Sequence, residues 1–509
     1  MKRYALPLGL MAASSIAAPA REVDGAGLDS IETIVVLYAE NRSFDNLYGR
    51  FPGANGLLQL TLADYLQRDR DGSVLKELPP VWGGLTEKGV VPVVTEAQTR
   101  HLPNKPFAID DPKGLNTPDT VVTQSPVHLF YQNQMQINRA KNDRFVAYTD
   151  VGALVMGYYD HAALPLCDVA KEYTLADNFF MGGFGGSFFN HFWVACACAP
   201  IYPNADRGPA KKLIAAVNAD GVSLRIAADS PKSALHGPPK FVRDGKLTPD
   251  FHAVNTMQPP YQPSGNKPAP GGDPAYADPA NPTTLPPQTE QTIGDLLSAK
   301  SVSWAWYAGA WAATLAGGNA PPVPNFQYHH QPFNYFASMA PATAARAEHL
   351  RDGGLGGNEF IKAIDSGGLP QVAFYKPQGN LNEHAGYADV LDGDRHLAEI
   401  VSHLQKSAQW PHMVVIITYD ENGGFWDHVA PPKGDRWGPG SRIPALIVSP
   451  YAKKGFVDHT LYDTTSILRF ITRRFDLPPL PGLRTRDAAF AAHGSLPLGD
   501  LTGALDLRP

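Results

Sequence analysis

Four apolar runs limit the fold of this chain more than any other feature. They are "IETIVVLYAEN" (31–41), "QVAFY" (371–375), "MVVIIT" (413–418) and "PALIVS" (444–449). Each is short, rich in β-branched residues and apolar through its centre. A strand with one wet face alternates apolar and polar side chains, whereas a strand covered on both faces is apolar throughout. Helical patterns lie between and beyond the last runs. "DRHLAEIVSHLQKS" (394–407) places Leu397, Ile400, Val401 and Leu404 on one face, and "LYDTTSILRFITRRF" (461–475) is also amphipathic. Doubly covered strands joined through such helices assemble as a mostly parallel central sheet flanked by helices, an α/β fold. The expected organisation is one large domain over 28–480 and a C-terminal tail over 481–509.

Residues 259–287 hold ten prolines. Proline breaks both helix interiors and central strands, so this stretch reads as a long surface excursion within the domain. The opening "MKRYALPLGLMAASSIAAPA" has Lys2 and Arg3, then an apolar stretch, then Ala18-Pro19-Ala20. That order matches a secretory signal peptide over 1–20 and predicts a periplasmic or secreted protein. After it, no apolar run is long enough to span a bilayer, so no stable membrane insertion is expected. The net charge of −6 gives no basic footprint for a nucleic-acid partner. Cys167, Cys196 and Cys198 leave two readings open: one disulfide with one thiol over, or three small buried side chains. "CAC" has no CxxC partner and is a poor zinc-finger signal. Oligomeric state is not legible.

Two of the strands end in matching chemistry. The first runs into Glu40-Asn41, and the run 413–418 leads into Tyr419 and then Asp420-Glu421-Asn422. In an open α/β sheet, ligands gather beyond the carboxyl ends of the strands. Three carboxylates meeting there repel one another unless a cation joins them, and oxygen donors suit a hard divalent ion. Gly423-Gly424 would let the backbone turn beside it. A third element is "FMGGFGGSFFNHFW" (180–193), in which glycines precede Ser187 and aromatics follow. A tight turn opening a helix at Ser187 would present its hydroxyl as a nucleophile, with phosphate favoured at the helix N-terminus. Asn190 and His191 follow at helical spacing, and Asn190 would donate to phosphate oxygens. His128, His329, His330 and His384 are candidate acids and oxyanion stabilisers; His191, His412 and His428 are weaker ones.

"YAENRSFDNLYGRFPGANG" (38–56), "GGFGGSFFNHFW" (182–193) and "TYDENGGFWDHVAPP" (418–432) together resemble the bacterial phosphoesterase family. That family holds acid phosphatases and phospholipases C on an alkaline-phosphatase-like fold. The resemblance runs through 31–475, and the serine-type motif leans to the acid phosphatase branch. It implies a divalent metal (Ca, Mg, Mn or Zn) held by Glu40, Asn41, Ser187, Asp420 and Glu421. Ser187 matches the nucleophile. His128, His329, His330 and His384 match residues around the phosphate. Tyr419 departs from the family pattern, which has an acid there. The implied activity is hydrolysis of small phosphomonoesters through a phosphoserine, with a phospholipase C as the alternative. An imidazole titrating near its ordinary pKa of about 6.5 would favour acidic turnover.

Overall fold

Eight strands form the central sheet of the computed structural model, which describes residues 25–160, 164–317 and 325–507. The expected signal peptide, 1–20, lies outside the described residues. In chain order the strands are β1 (Thr33–Ala39), β2 (Thr174–Ala176), β3 (Trp304–Gly309), β4 (Leu350–Gly354), β5 (Val372–Lys376), β6 (Met413–Tyr419), β7 (Ala445–Val448) and β8 (Phe456–Asp458). Across the sheet they run β8-β2-β7-β6-β1-β5-β3-β4. All neighbours are parallel except β7, which is antiparallel to both β6 and β2. The four runs read from sequence are β1, β5, β6 and β7. All residues of β1, β5 and β6 are buried, as continuous apolar runs require.

The register sets the site. Leu37 of β1 pairs with Tyr375 of β5 on one side and with Ile417 of β6 on the other. Three central parallel strands therefore end together, and Lys376, Glu40 and Asp420 emerge side by side.

Helices cover both faces. Those that matter here are α1 (Ser187–Cys196), α2 (Val390–Lys406), α3 (Thr464–Arg474) and α4 (Pro481–Ala492). Every residue of α1 is buried. Burying Phe188, Phe189, Phe192 and Trp193 stabilises it by about 1.5–3 kcal/mol per side chain, enough to fix where Ser187 stands. α1 packs against α3. Cys196 and Cys198 form a disulfide, and Cys167 is a buried thiol.

Residues 481–509, expected as a tail, begin with α4. Its Arg486 is wholly buried and pairs with Asp463 at 2.5 Å and Asp435 at 2.7 Å. The same guanidinium donates to Gly182 O at 2.8 Å and lies 4.3 Å from the Trp193 ring centre. The proline-rich stretch contains no helix or strand. It is tied down through its carbonyls: Asn334 Nδ2 donates to Tyr261 O at 3.0 Å, and Arg346 donates to Gln262 O at 2.7 Å. Among the described residues, no helix is long and apolar enough to cross a membrane.

Candidate active site

Beyond β1, Asn41 adopts a left-handed backbone with φ of +62°. This turns its N–H onto Asp420 Oδ1 at 3.0 Å. Beyond β6, Gly423 also has positive φ, and a Cβ there would lie 2.2 Å from Asn41 O. Only glycine lets these two strand-end loops touch backbone to backbone. Glu40, Asn41, Asp420 and Glu421 are all buried. Burial and the neighbouring Glu40 raise the Asp420 carboxyl to about 7 despite Lys376. Burial and Asp420 hold Glu421 well above the carboxylate range. Burial also works to raise Glu40, but His330 and Lys376 outweigh it and hold that group low.

Ser187 is the first residue of α1 and faces the same place. Its Oγ donates to Asn41 Oδ1 at 3.1 Å. Gly185, at φ +89°, makes the turn; a Cβ there would meet Phe130 N at 2.5 Å. Asn190 has a different task from the one expected. Its Oδ1 accepts from Gly183 N at 2.9 Å, and its Nδ2 donates to Gly183 O at 3.1 Å and Gly185 O at 3.2 Å. In this structure the amide is engaged at both ends by the glycine loop, so Asn190 shapes the turn that leads into Ser187.

The four expected histidines do converge. A cavity of about 190 Å³ is lined by Ser187, His128, His329, His384, Asn255 and Tyr387, among others. His128 Nε2 lies 3.4 Å from Asn41 Nδ2 and 3.8 Å from Glu421 Oε1. His330 Nε2 contacts Glu40 Oε1, and His384 Nε2 lies 3.9 Å from Glu40 Oε2. Burial pushes all four imidazoles below their ordinary pKa, His384 to about 3. Burial thus works against the ordinary value near 6.5, because charging an imidazole there costs desolvation.

Sequence reasoning missed two contributors and ranked a third low. Lys376 ends β5, and its ammonium lies 2.9 Å from Glu40 Oε1 and 3.7 Å from Asp420 Oδ2. Its signal, a charge directly after an apolar run, was the same one that exposed Glu40. Tyr387 donates to Glu40 Oε2 at 3.1 Å. His191, ranked low, lies 3.8 Å from Asp420 Oδ2 and stacks on His330. Tyr419 donates to Glu383 at 2.9 Å. The remaining weak candidates lie elsewhere. His412 contacts Ser30 O at the opposite end of β6. His428 belongs to a separate knot in which Arg442 pairs with Asp45 and Asp427, each at 3.0 Å.

The donor set fits a cation. Asp420 Oδ2 and Glu421 Oε1 are buried carboxylate oxygens with no hydrogen-bond donor. Ligand atoms of Glu40, His191 and Asp420 lie within 4.8 Å of one another, as do those of Glu40, His329 and His330. Buried anionic oxygens left unpaired are costly unless an ion meets them.

The Phosphoesterase family matches residues 31–478, which contain the whole site. The chain belongs to that family. Phospholipase C B of Mycobacterium tuberculosis is 31% identical over 179 residues, 29% of this chain and 32% of that protein. Non-hemolytic phospholipase C of Pseudomonas aeruginosa is 29% identical over 139 residues, 21% of this chain and 20% of its own. Non-specific phospholipase C1 of Arabidopsis thaliana is 34% identical over 115 residues, 18% of this chain and 21% of its own. The matches thus span a third or less of these relatives. Among solved structures, a protein in the alkaline phosphatase superfamily from Vibrio parahaemolyticus is 11% identical over 72% of each chain, with a TM-score of 0.33. A likeness at that level supports no inference. Within this Phosphoesterase family member, the three motifs quoted from the sequence meet at Asn41, which accepts from Ser187 and donates to Asp420.

Proposed function

We propose that this family member is a metal-dependent phosphomonoesterase that works through a phosphoserine at Ser187. The observation that carries the reading is the small cavity in front of Ser187, walled by imidazoles. At about 190 Å³ it is below the usual range for drug-sized ligands, about 300–1,000 Å³. A phosphoryl group and the first atoms of its alcohol suit that volume, with the rest of the substrate outside.

Glu40, Asn41, Asp420 and Glu421, with the Ser187 oxygen, would hold one divalent ion. When bound, that ion supplies positive charge for the serine oxygen and a phosphate oxygen. Asn41 orients Ser187 by accepting its hydrogen bond. Ser187 gives up its hydroxyl proton to a facing imidazole, and its Oγ attacks phosphorus as the bond to the leaving alcohol breaks. A dianionic phosphate raises the imidazoles that face it, so a proton is taken up with substrate. His329, His330 or His384 passes it to the leaving oxygen. Water then hydrolyses the phosphoserine, returning Ser187 and releasing phosphate. The N-terminal pattern supports action outside the cytoplasm, in the periplasm or beyond.

A second reading, a phospholipase C, is favoured by the names of the relatives. The aromatics of α1 do not help it, since all four are buried. The test is kcat/KM for an aryl phosphomonoester against dispersed phosphatidylcholine, a ratio that measures transition-state discrimination. A clear preference for the lipid would overturn the monoesterase reading.

A further inference from the structure

Lys376 is a buried cation that the proposed chemistry leaves unexplained. It closes β5 in the middle of the sheet and is completely shielded from solvent. Its Nζ lies 2.9 Å from Glu40 Oε1 and 3.7 Å from Asp420 Oδ2, and it donates to Ala39 O at 3.2 Å. The Tyr38 ring centre is 5.0 Å from the same nitrogen. Two carboxylates, a carbonyl and an aromatic face therefore hold the ammonium on a short reach from a rigid strand end.

We infer that Lys376 is a positioning residue, a fixed monocation that fills one flank of the carboxylate cradle and so limits the site to a single divalent ion. The inference rests on the metal reading above. With a divalent ion bound, Glu40, Asp420 and Glu421 would carry three negative charges. One divalent ion and one ammonium cancel them; two divalent ions beside the ammonium would leave a buried excess of positive charge, which is costly. Geometry points the same way. Paired catalytic ions stand about 3.5–4 Å apart and share bridging carboxylates. Here the ammonium stands 2.9 Å from Glu40 Oε1 and 3.7 Å from Asp420 Oδ2, on the flank where a second ion sharing those carboxylates would have to sit. The carboxylates converge for cation binding, and the lysine turns what resembles a two-ion cluster into a one-ion site.

The test is metal stoichiometry and affinity in the purified full chain, read by Mn²⁺ titration with electron paramagnetic resonance and by elemental analysis. The wild type should bind one Mn²⁺ with an uncoupled signal. K376M should bind either a second Mn²⁺ with spin coupling or the first at least tenfold more tightly. A spin-coupled pair in the wild type overturns the inference without any variant, which covers the case of a K376M protein that does not fold. A folded K376M protein with one Mn²⁺ at unchanged or weaker affinity also overturns it, while leaving the metal reading intact. A wild type that binds no Mn²⁺, Mg²⁺, Ca²⁺ or Zn²⁺ sinks both.

Discussion

Gly423→Ala tests whether the contact between the two strand-end loops aligns the site. The position has φ of +61°, which costs an L-residue roughly 1–2 kcal/mol. The added Cβ would lie 2.2 Å from Asn41 O, and real Cβ contacts essentially never fall below 3.0 Å. Asn41 must then retreat by about 0.8 Å. That residue holds Ser187 Oγ at 3.1 Å and Asp420 Oδ1 at 3.0 Å, so the retreat moves the nucleophile's partner and the cradle together. A misplacement near 1 Å costs on the order of 10²-fold in rate. The assay is kcat/KM for an aryl phosphate, with a thermal melt to show that the variant folds. Gly494→Ala is the control: its φ is +72°, but nothing lies within 4 Å of the added Cβ. It should lose only the stability that the backbone strain costs, and no activity. A folded Gly423→Ala enzyme with unchanged kcat/KM would refute the reasoning.

Ser187→Ala should lower kcat by several orders of magnitude with an unchanged far-ultraviolet spectrum, whereas His329→Ala, His330→Ala and His384→Ala should each cost less, about 10²–10⁴-fold. Asp420→Asn should weaken divalent-ion binding in a calorimetric titration, and a chelator should lower both activity and melting temperature, because buried carboxylates are then left uncompensated. Asp394 gives a pH prediction away from the cradle: burial raises its carboxyl from 3.8 to about 7. A raised folded pKa contributes stability below about pH 4 that is lost as pH rises through about 7, so Asp394→Asn should gain on the wild type above pH 7, by about 4 kcal/mol at most. Parallel melting curves for the two proteins from pH 4 to pH 8 would contradict this.

The centre of the sheet was legible because β1, β5 and β6 are continuous apolar runs, and burial on both faces leaves no other pattern. β2 and β4 were not. "TLA" and "LRDGG" carry no alternation or length to detect, and their pairing is supplied by neighbours distant in sequence. β3, "WAWYAG", mixes large aromatics with alanine and reads equally as helix or strand. The carboxylates were readable because two apolar strands end in matching charge beside a glycine-flanked serine, whereas one such acid alone reads equally as a helix cap. The same logic stopped one residue short of Lys376. Asn190 misled for a local reason: helical spacing put it on the side of Ser187, but the glycine turn folds back over that side and takes its amide. The imidazole titrations were invisible because desolvation depends on what covers each ring, and that cover comes from five separate stretches of chain.

Arg486 gives the molecule a timetable. The carbonyl of Gly182, in the loop that presents Ser187, is held by a guanidinium about 300 positions later in the chain. Chains are made from the amino end, and earlier segments collapse before later ones exist. The loop at 182–187 thus lacks one of its anchors, and Asp463 and Asp435 lack their buried counter-charge, until α4 has emerged and docked. A nascent chain of this protein would carry every side chain of the proposed site before Arg486 is in place to anchor the loop that presents Ser187. Docking of α4 completes these anchors, so a chain cut short before it would leave Gly182 O, Asp435 and Asp463 without Arg486.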